Sequence, residues 1–121
     1  MPFYRQDFLL RQIEDAIARA IRFAFKSGEP AQALVEQDFD GQTRDLSATL
    51  SAMIERGELA DAEDLLYTAL TPSDWPALAL ALWFYERLNA LSDEALAAGG
   101  FSREEIARGL ADVAALYGLP A

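Results

Sequence analysis

From Asp7 to about Lys26, the apolar residues Leu9, Leu10, Ile13, Ala16, Ile17, Ala20, Ile21, Ala24 and Phe25 recur at three- and four-residue steps. Arg11, Asp15, Arg19, Arg22 and Lys26 fall on the other side. That period belongs to one face of a helix and predicts an amphipathic N-terminal helix within residues 1–27, broadly apolar on one side and largely basic on the other. Ser27-Gly28 is read as its stop. Glu29 to Gly41 is less regular and reads as a connector with a short helix over Ala31–Gln37.

The helical body, residues 42–121, continues the period. Thr43 is placed to cap a helix with Leu46, Leu50, Met53 and Ile54 on one stripe, which Gly57 ends. Leu59 to Leu70 repeats the pattern, and Thr71-Pro72-Ser73-Asp74 makes a turn that doubles as an N-cap. The helix from Pro76 to about Leu91 is apolar nearly all round, the mark of a central, buried helix. Ser92 caps a short helix that Gly99-Gly100 terminates. Ser102-Arg103-Glu104-Glu105 has the form of a capping box ahead of Ile106, Leu110, Val113 and Leu116-Tyr117. Period-two alternation is nowhere sustained, so the expectation is an all-α fold, a single domain over residues 1–121 with about six helices.

Composition changes the picture by exclusion. The chain has 121 residues, 52% of them hydrophobic and 25% charged, as a globular domain with a real core has. It contains neither cysteine nor histidine, which removes disulfides, thiolate nucleophiles, Cys/His zinc sites and imidazole acid/base chemistry. Catalysis would rest on carboxylates, hydroxyls, the tyrosines or Lys26. Lys26 sits at a predicted helix C-terminus, where its charge complements the helix dipole. The pairs Asp61/Asp64, Glu104/Arg108 and Arg108/Asp112 have the spacing of surface charges. Gly99-Gly100 lacks the lysine and spacing of a phosphate loop. No catalytic residue, cofactor or metal site is expected.

The acidic run Glu36-Gln37-Asp38-Phe39-Asp40-Gly41 is similar to the opening of a calcium loop. Its twelfth position, however, is Ser47 where a bidentate glutamate is required, so it reads as a solvated acidic turn.

The net charge is −10, unevenly spread: residues 1–27 carry five basic and three acidic groups, and the remainder five and seventeen. An acidic body disfavours nucleic acid as a partner. Charges interrupt the first twenty residues, so no targeting segment is read and a cytoplasmic location is expected. The longest uncharged apolar stretch, Trp75 to Tyr85, is eleven residues with Pro76 inside it, too short to cross a bilayer.

Function is therefore sought on surfaces. The leading expectation is a non-enzymatic interaction or scaffold module that forms a homodimer through its N-terminal helix, using Leu10, Ile13, Ile17 and Ile21 with Arg19 and Arg22 at the rim. Packing of that helix into the chain's own bundle is the plainer reading, and shallow docking on an anionic membrane a third. From another class comes a small-ligand or carboxylate-dependent site with a pocket beside Trp83 and Tyr85. Against it, large aromatics in so apolar a helix are usually core.

Two resemblances add to this reading. Gly57-Glu58-Leu59-Ala60-Asp61-Ala62-Glu63-Asp64-Leu65-Leu66-Tyr67-Thr68-Ala69-Leu70, with Pro72 beyond, resembles the second half of a tetratricopeptide repeat, its small residues Ala62 and Ala69 allowing close helix approach. Leu91 stands where the next turn glycine would fall, so the expectation is one helical hairpin and not an array. Over nearly the whole chain, Gln6-Asp7-Phe8-Leu9-Leu10-Arg11-Gln12-Ile13-Glu14, Ala62-Glu63-Asp64-Leu65-Leu66, Phe84-Tyr85-Glu86-Arg87-Leu88-Asn89 and Phe101-Ser102-Arg103-Glu104-Glu105-Ile106 with Leu116-Tyr117-Gly118-Leu119 resemble a family of short bacterial proteins grouped as a domain of unknown function. That resemblance implies an all-helical, tetratricopeptide-like fold and transfers no site.

Overall fold

A computed structural model describes residues 2–37 and 42–120, with side chains from residue 7 in the first helix and from residue 43 in the third. Of the acidic run Glu36 to Gly41, the part from Asp38 to Gly41 lies outside the described residues. These residues form α1 (Pro2–Phe25), α2 (Ala31–Glu36), α3 (Gln42–Glu55), α4 (Leu59–Tyr67), α5 (Trp75–Asn89), α6 (Asp93–Ala98) and α7 (Arg103–Tyr117). Among the described residues the fold is all-α as the periodicity predicts, with seven helices where about six were expected, because the connector's short helix is a full element.

Helix α5 is the axis of the bundle. Every residue from Ala77 to Tyr85 is buried, as a helix apolar on all sides requires. Around it stand α1, α2, α3 and α7. Ile13, Ile17 and Ile21 of α1 enter the same core as Leu82, Phe84, Ile106 and Val113, and α1 packs on both α5 and α7. Glu86 holds α2 in place by accepting the Ala31 backbone N–H at 3.2 Å. Helices α3 and α4 pack as a hairpin about Gly57, whose φ of 78° is the left-handed conformation that glycine adopts without penalty.

Capping follows the sequence closely but not everywhere. Asp74 accepts from Ala77 N at 3.1 Å and Ser92 from Ala95 N at 3.1 Å. Thr43 lies buried in the first turn of α3, not ahead of it. Ser102 accepts from Glu105 N at 3.1 Å, while the Glu105 carboxylate meets the Ser102 hydroxyl, at 3.4 Å. The box is thus closed side chain to side chain. The end of α1 also departs from expectation: Lys26, not Gly28, takes the left-handed turn, with φ 54°, at a cost of about 1 kcal/mol for a residue with a Cβ. Its ammonium partly offsets this, donating to the Phe23 carbonyl at 3.1 Å and lying 5.3 Å above the Phe23 ring.

A buried arginine ties the helix ends together. Arg103, 3% exposed, is the first residue of α7. Its Nη1 donates to the Asn89 carbonyl at 3.0 Å and to Asn89 Oδ1 at 2.9 Å. Nη2 donates to the Leu91 carbonyl at 2.9 Å and to Asp93 at 3.1 Å. The carbonyls at the end of α5, which have no partner within their own helix, are thereby satisfied. Asn89 in turn donates from Nδ2 to the Leu10 carbonyl at 3.0 Å, which binds α1 to the same point.

Replacing Arg103 by methionine keeps much of the volume but leaves these carbonyls buried and unpaired. The expected loss is roughly 3 kcal/mol of unfolding free energy in urea titrations. Arg103→Lys should lose less, because its ammonium can still donate to one of the carbonyls, although it cannot span both as the guanidinium fork does. Wild-type stability in the methionine variant would show that the node is dispensable.

Candidate functional site

Among the described residues, two surface concavities differ in chemistry. The larger, about 870 Å³, runs between α1 and α7. Its floor is Ile13, Leu82, Leu110 and Val113, which are buried core residues. The α7 wall is Ala107, Ala111 and Ala114, side chains too short to fill the space between two helices. The α1 lip carries Gln12, Asp15, Arg19, Arg22, Phe23 and Lys26. The groove thus joins an apolar floor, one smooth wall and one lip that is basic over its C-terminal half.

Exposure marks the outer edge of α1 as unusual. Phe8 is 63% exposed and Phe23 50%, although burying an aromatic ring is worth several kcal/mol of transfer free energy. Phe8, Gln12, Asp15, Arg19, Phe23 and Lys26 follow one another at three- or four-residue steps, so they form a single stripe one side of the buried isoleucines.

The smaller concavity, about 240 Å³, is polar and lined by Glu63, Asp64, Tyr67, Glu105, Arg108, Gly109 and Asp112. Beneath it the Tyr85 hydroxyl donates to the Glu63 carboxylate at 2.5 Å. Gly109 lets the phenol reach that acid, since a Cβ there would overlap the Tyr85 hydroxyl and ring. Burial pushes the Glu63 carboxyl above its ordinary value, offset in part by the bond from Tyr85 and reinforced by Asp64, Glu105 and Asp112. Burial, then the bonds to Glu63 and Tyr67, push the Tyr85 phenol far up, so it stays a neutral donor. Among the described residues no group of acidic, histidine or cysteine side chains is placed to hold a metal ion.

The residues singled out from sequence separate into two sets. Ile13, Ile17 and Ile21 are buried, and Leu10 is half-buried with its carbonyl bound to Asn89, so their apolar face is taken up by the chain's own bundle. Arg19 and Arg22 are exposed on the lip of the groove. Trp83 is 4% exposed, with the Arg87 guanidinium 5.7 Å above its ring. Tyr85 is fully buried except that its hydroxyl end meets Glu63 under the polar concavity. Neither aromatic is among the residues that line these two concavities. Sequence reasoning missed the alanine wall of α7 and the Gly109 contact. A glycine inside a helix costs about 1 kcal/mol against alanine, which is the signal that something packs against it.

Comparison with known proteins adds one match. A family model, that of a family of unknown function (DUF6483), matches residues 3–118. No curated protein and no solved structure matches.

Gly109→Ala should lower stability by about 2 kcal/mol despite its better helix propensity, because the Tyr85 ring must shift off Glu63. Thermal unfolding measures this, and a gain in stability would contradict the contact. For Glu63, whose folded pKa is raised, the protonated form is favoured by folding, so its contribution is complete at low pH and is lost as pH rises from about 4.5 through the folded value. Relative to Glu63→Gln, wild type should therefore become progressively less stable as pH increases across that window. A difference that does not change with pH would mean that burial leaves the acid unshifted.

Proposed function

The chain belongs to that family of unknown function, which brings no activity with it, and we propose from its own surface that it is a non-enzymatic protein-interaction module. Its binding element is the groove between α1 and α7, and the bound shape is a helix lying along it. The observation that carries this reading is the join of an apolar floor and alanine wall to a lip bearing Arg19, Arg22 and Lys26. Helices recognise helices by laying an apolar stripe into such grooves, with charges along the edge selecting the partner. The basic half of the lip favours a helix with carboxylates along one edge.

A second reading keeps the carboxylate-dependent site expected beside Tyr85. What supports it is the Tyr85 hydroxyl and Glu63 under the polar concavity, whose 240 Å³ suits a small polar molecule. The tight Tyr85–Glu63 bond already uses both groups within the fold, so the groove is the stronger reading.

The test uses two amphipathic helical peptides with the same leucine stripe, one edged with glutamates and one with lysines, added to isotope-labelled protein. Amide shifts should appear along α1 and α7 with the glutamate peptide, be much smaller with the lysine peptide, and disappear in Ala111→Glu, a change at an exposed position on the groove wall. Shifts scattered elsewhere, or none, would remove the groove as a binding element.

A further inference from the structure

We infer that the helix taken by the groove is α1 of a second copy of this chain, laid antiparallel about a two-fold axis; this rests on the groove being an interaction site. Charge along α1 is the argument. Its first half carries Asp7, Glu14 and Asp15 against Arg5 and Arg11, a small acidic excess, and the stretch from Arg19 to Lys26 carries Arg19, Arg22 and Lys26 with no acid. Two such helices side by side in the same direction set like charge against like. Reversed, each acidic half lies on a basic half, and a two-fold axis makes the match reciprocal.

The exposed stripe gives the register. With the axis crossing near Ile17, Asp15 of each copy lies opposite Arg19 of the other, and Phe8 lies opposite Lys26 near the Phe23 end of the groove. Within one chain the Lys26 ammonium already sits over the Phe23 ring, and an incoming Phe8 offers it a second aromatic face. Phe8 is 63% exposed, and the α7 wall offers the groove only the short side chains of Ala107, Ala111 and Ala114 above its floor. The helix thus bears a projecting ring near one end and an unfilled apolar cleft toward the other, the arrangement a self-complementary surface needs. The net charge of −10 on each copy opposes approach, so the local match on α1 carries the association.

The test is sedimentation equilibrium on the intact chain, on Asp15→Arg, on Arg19→Asp, and on an equimolar mixture of the two variants. Both positions are exposed, and circular dichroism checks that each variant stays folded. Wild type is expected to dimerise reversibly. Each single variant places two like-charge pairs across the axis and should raise the dimer dissociation constant by about tenfold or more. Mixed together, the two variants restore both opposite pairs and should associate as a heterodimer at near wild-type strength. A purely intramolecular role for Asp15 and Arg19 cannot produce recovery on mixing. Wild type that stays monomeric at millimolar concentration, or variants that do not recover on mixing, would overturn the inference. In that event binding of the glutamate-edged peptide would leave the groove as a site for a different, acidic helix, and its failure would remove the groove reading as well.

Discussion

A guanidinium taken out of water calls for acceptors, and in this molecule Arg103 supplies them to Nη1 and Nη2 by collecting the ends of three helices, while its buried Nε has no acceptor among the described residues. The Asn89 carbonyl finishes α5, the Leu91 carbonyl lies in the turn just after it, Asp93 starts α6, and Arg103 itself opens α7. Asn89 then extends the node to the Leu10 carbonyl of α1. Placing a cation in the first turn of a helix runs against the helix dipole, and the α5 carbonyls offset that cost because they would otherwise be buried without partners. This exchange of hydrogen bonds fixes α1, α5 and α7 to one another at one point, and the shared core of Ile13, Ile17, Leu82, Ile106 and Val113 packs them along the rest of their length.

From that placement the groove follows. The isoleucine stripe of α1 is drawn into the core beside α5, and the node anchors the helix at Leu10. Helix α7 lies on the other side, and where it faces α1 it offers alanines. Two helices held at a separation set by larger side chains on the floor leave a cleft where only methyl groups project. The charged and aromatic edge of α1, which has no place in the core, becomes the lip. The groove and its lip are thus what remains of an amphipathic helix once its most apolar side has been used by the fold.

The polar concavity shows the opposite outcome. There a phenol, a carboxylate and a glycine are brought together from α5, α4 and α7 to satisfy one another. Such closure makes a group structural: Tyr85 is spent on Glu63, as Trp83 is covered by Arg87. The aromatic run in α5 serves the core, and the surface chemistry lies on the helices packed around it.

Helix content, the central place of α5, the caps at Asp74, Ser92 and Ser102, and the stop at Gly57 were legible in the chain because they depend on neighbours within about four residues: periodicity, a side-chain oxygen near a free N–H, and φ preferences. Arg19 and Arg22 could likewise be assigned to the polar side of α1. What periodicity could not decide was which part of a wide apolar face would be covered, so Ile13, Ile17 and Ile21 could be read as an outward seam until α5 and α7 were seen against them. The Arg103 node, the Gly109–Tyr85 contact and the alanine wall opposite α1 join residues far apart in sequence, and each residue alone has an ordinary local reading. Only the tertiary structure decided them, because burial and hydrogen-bond satisfaction are properties of the assembled helices and not of any one of them.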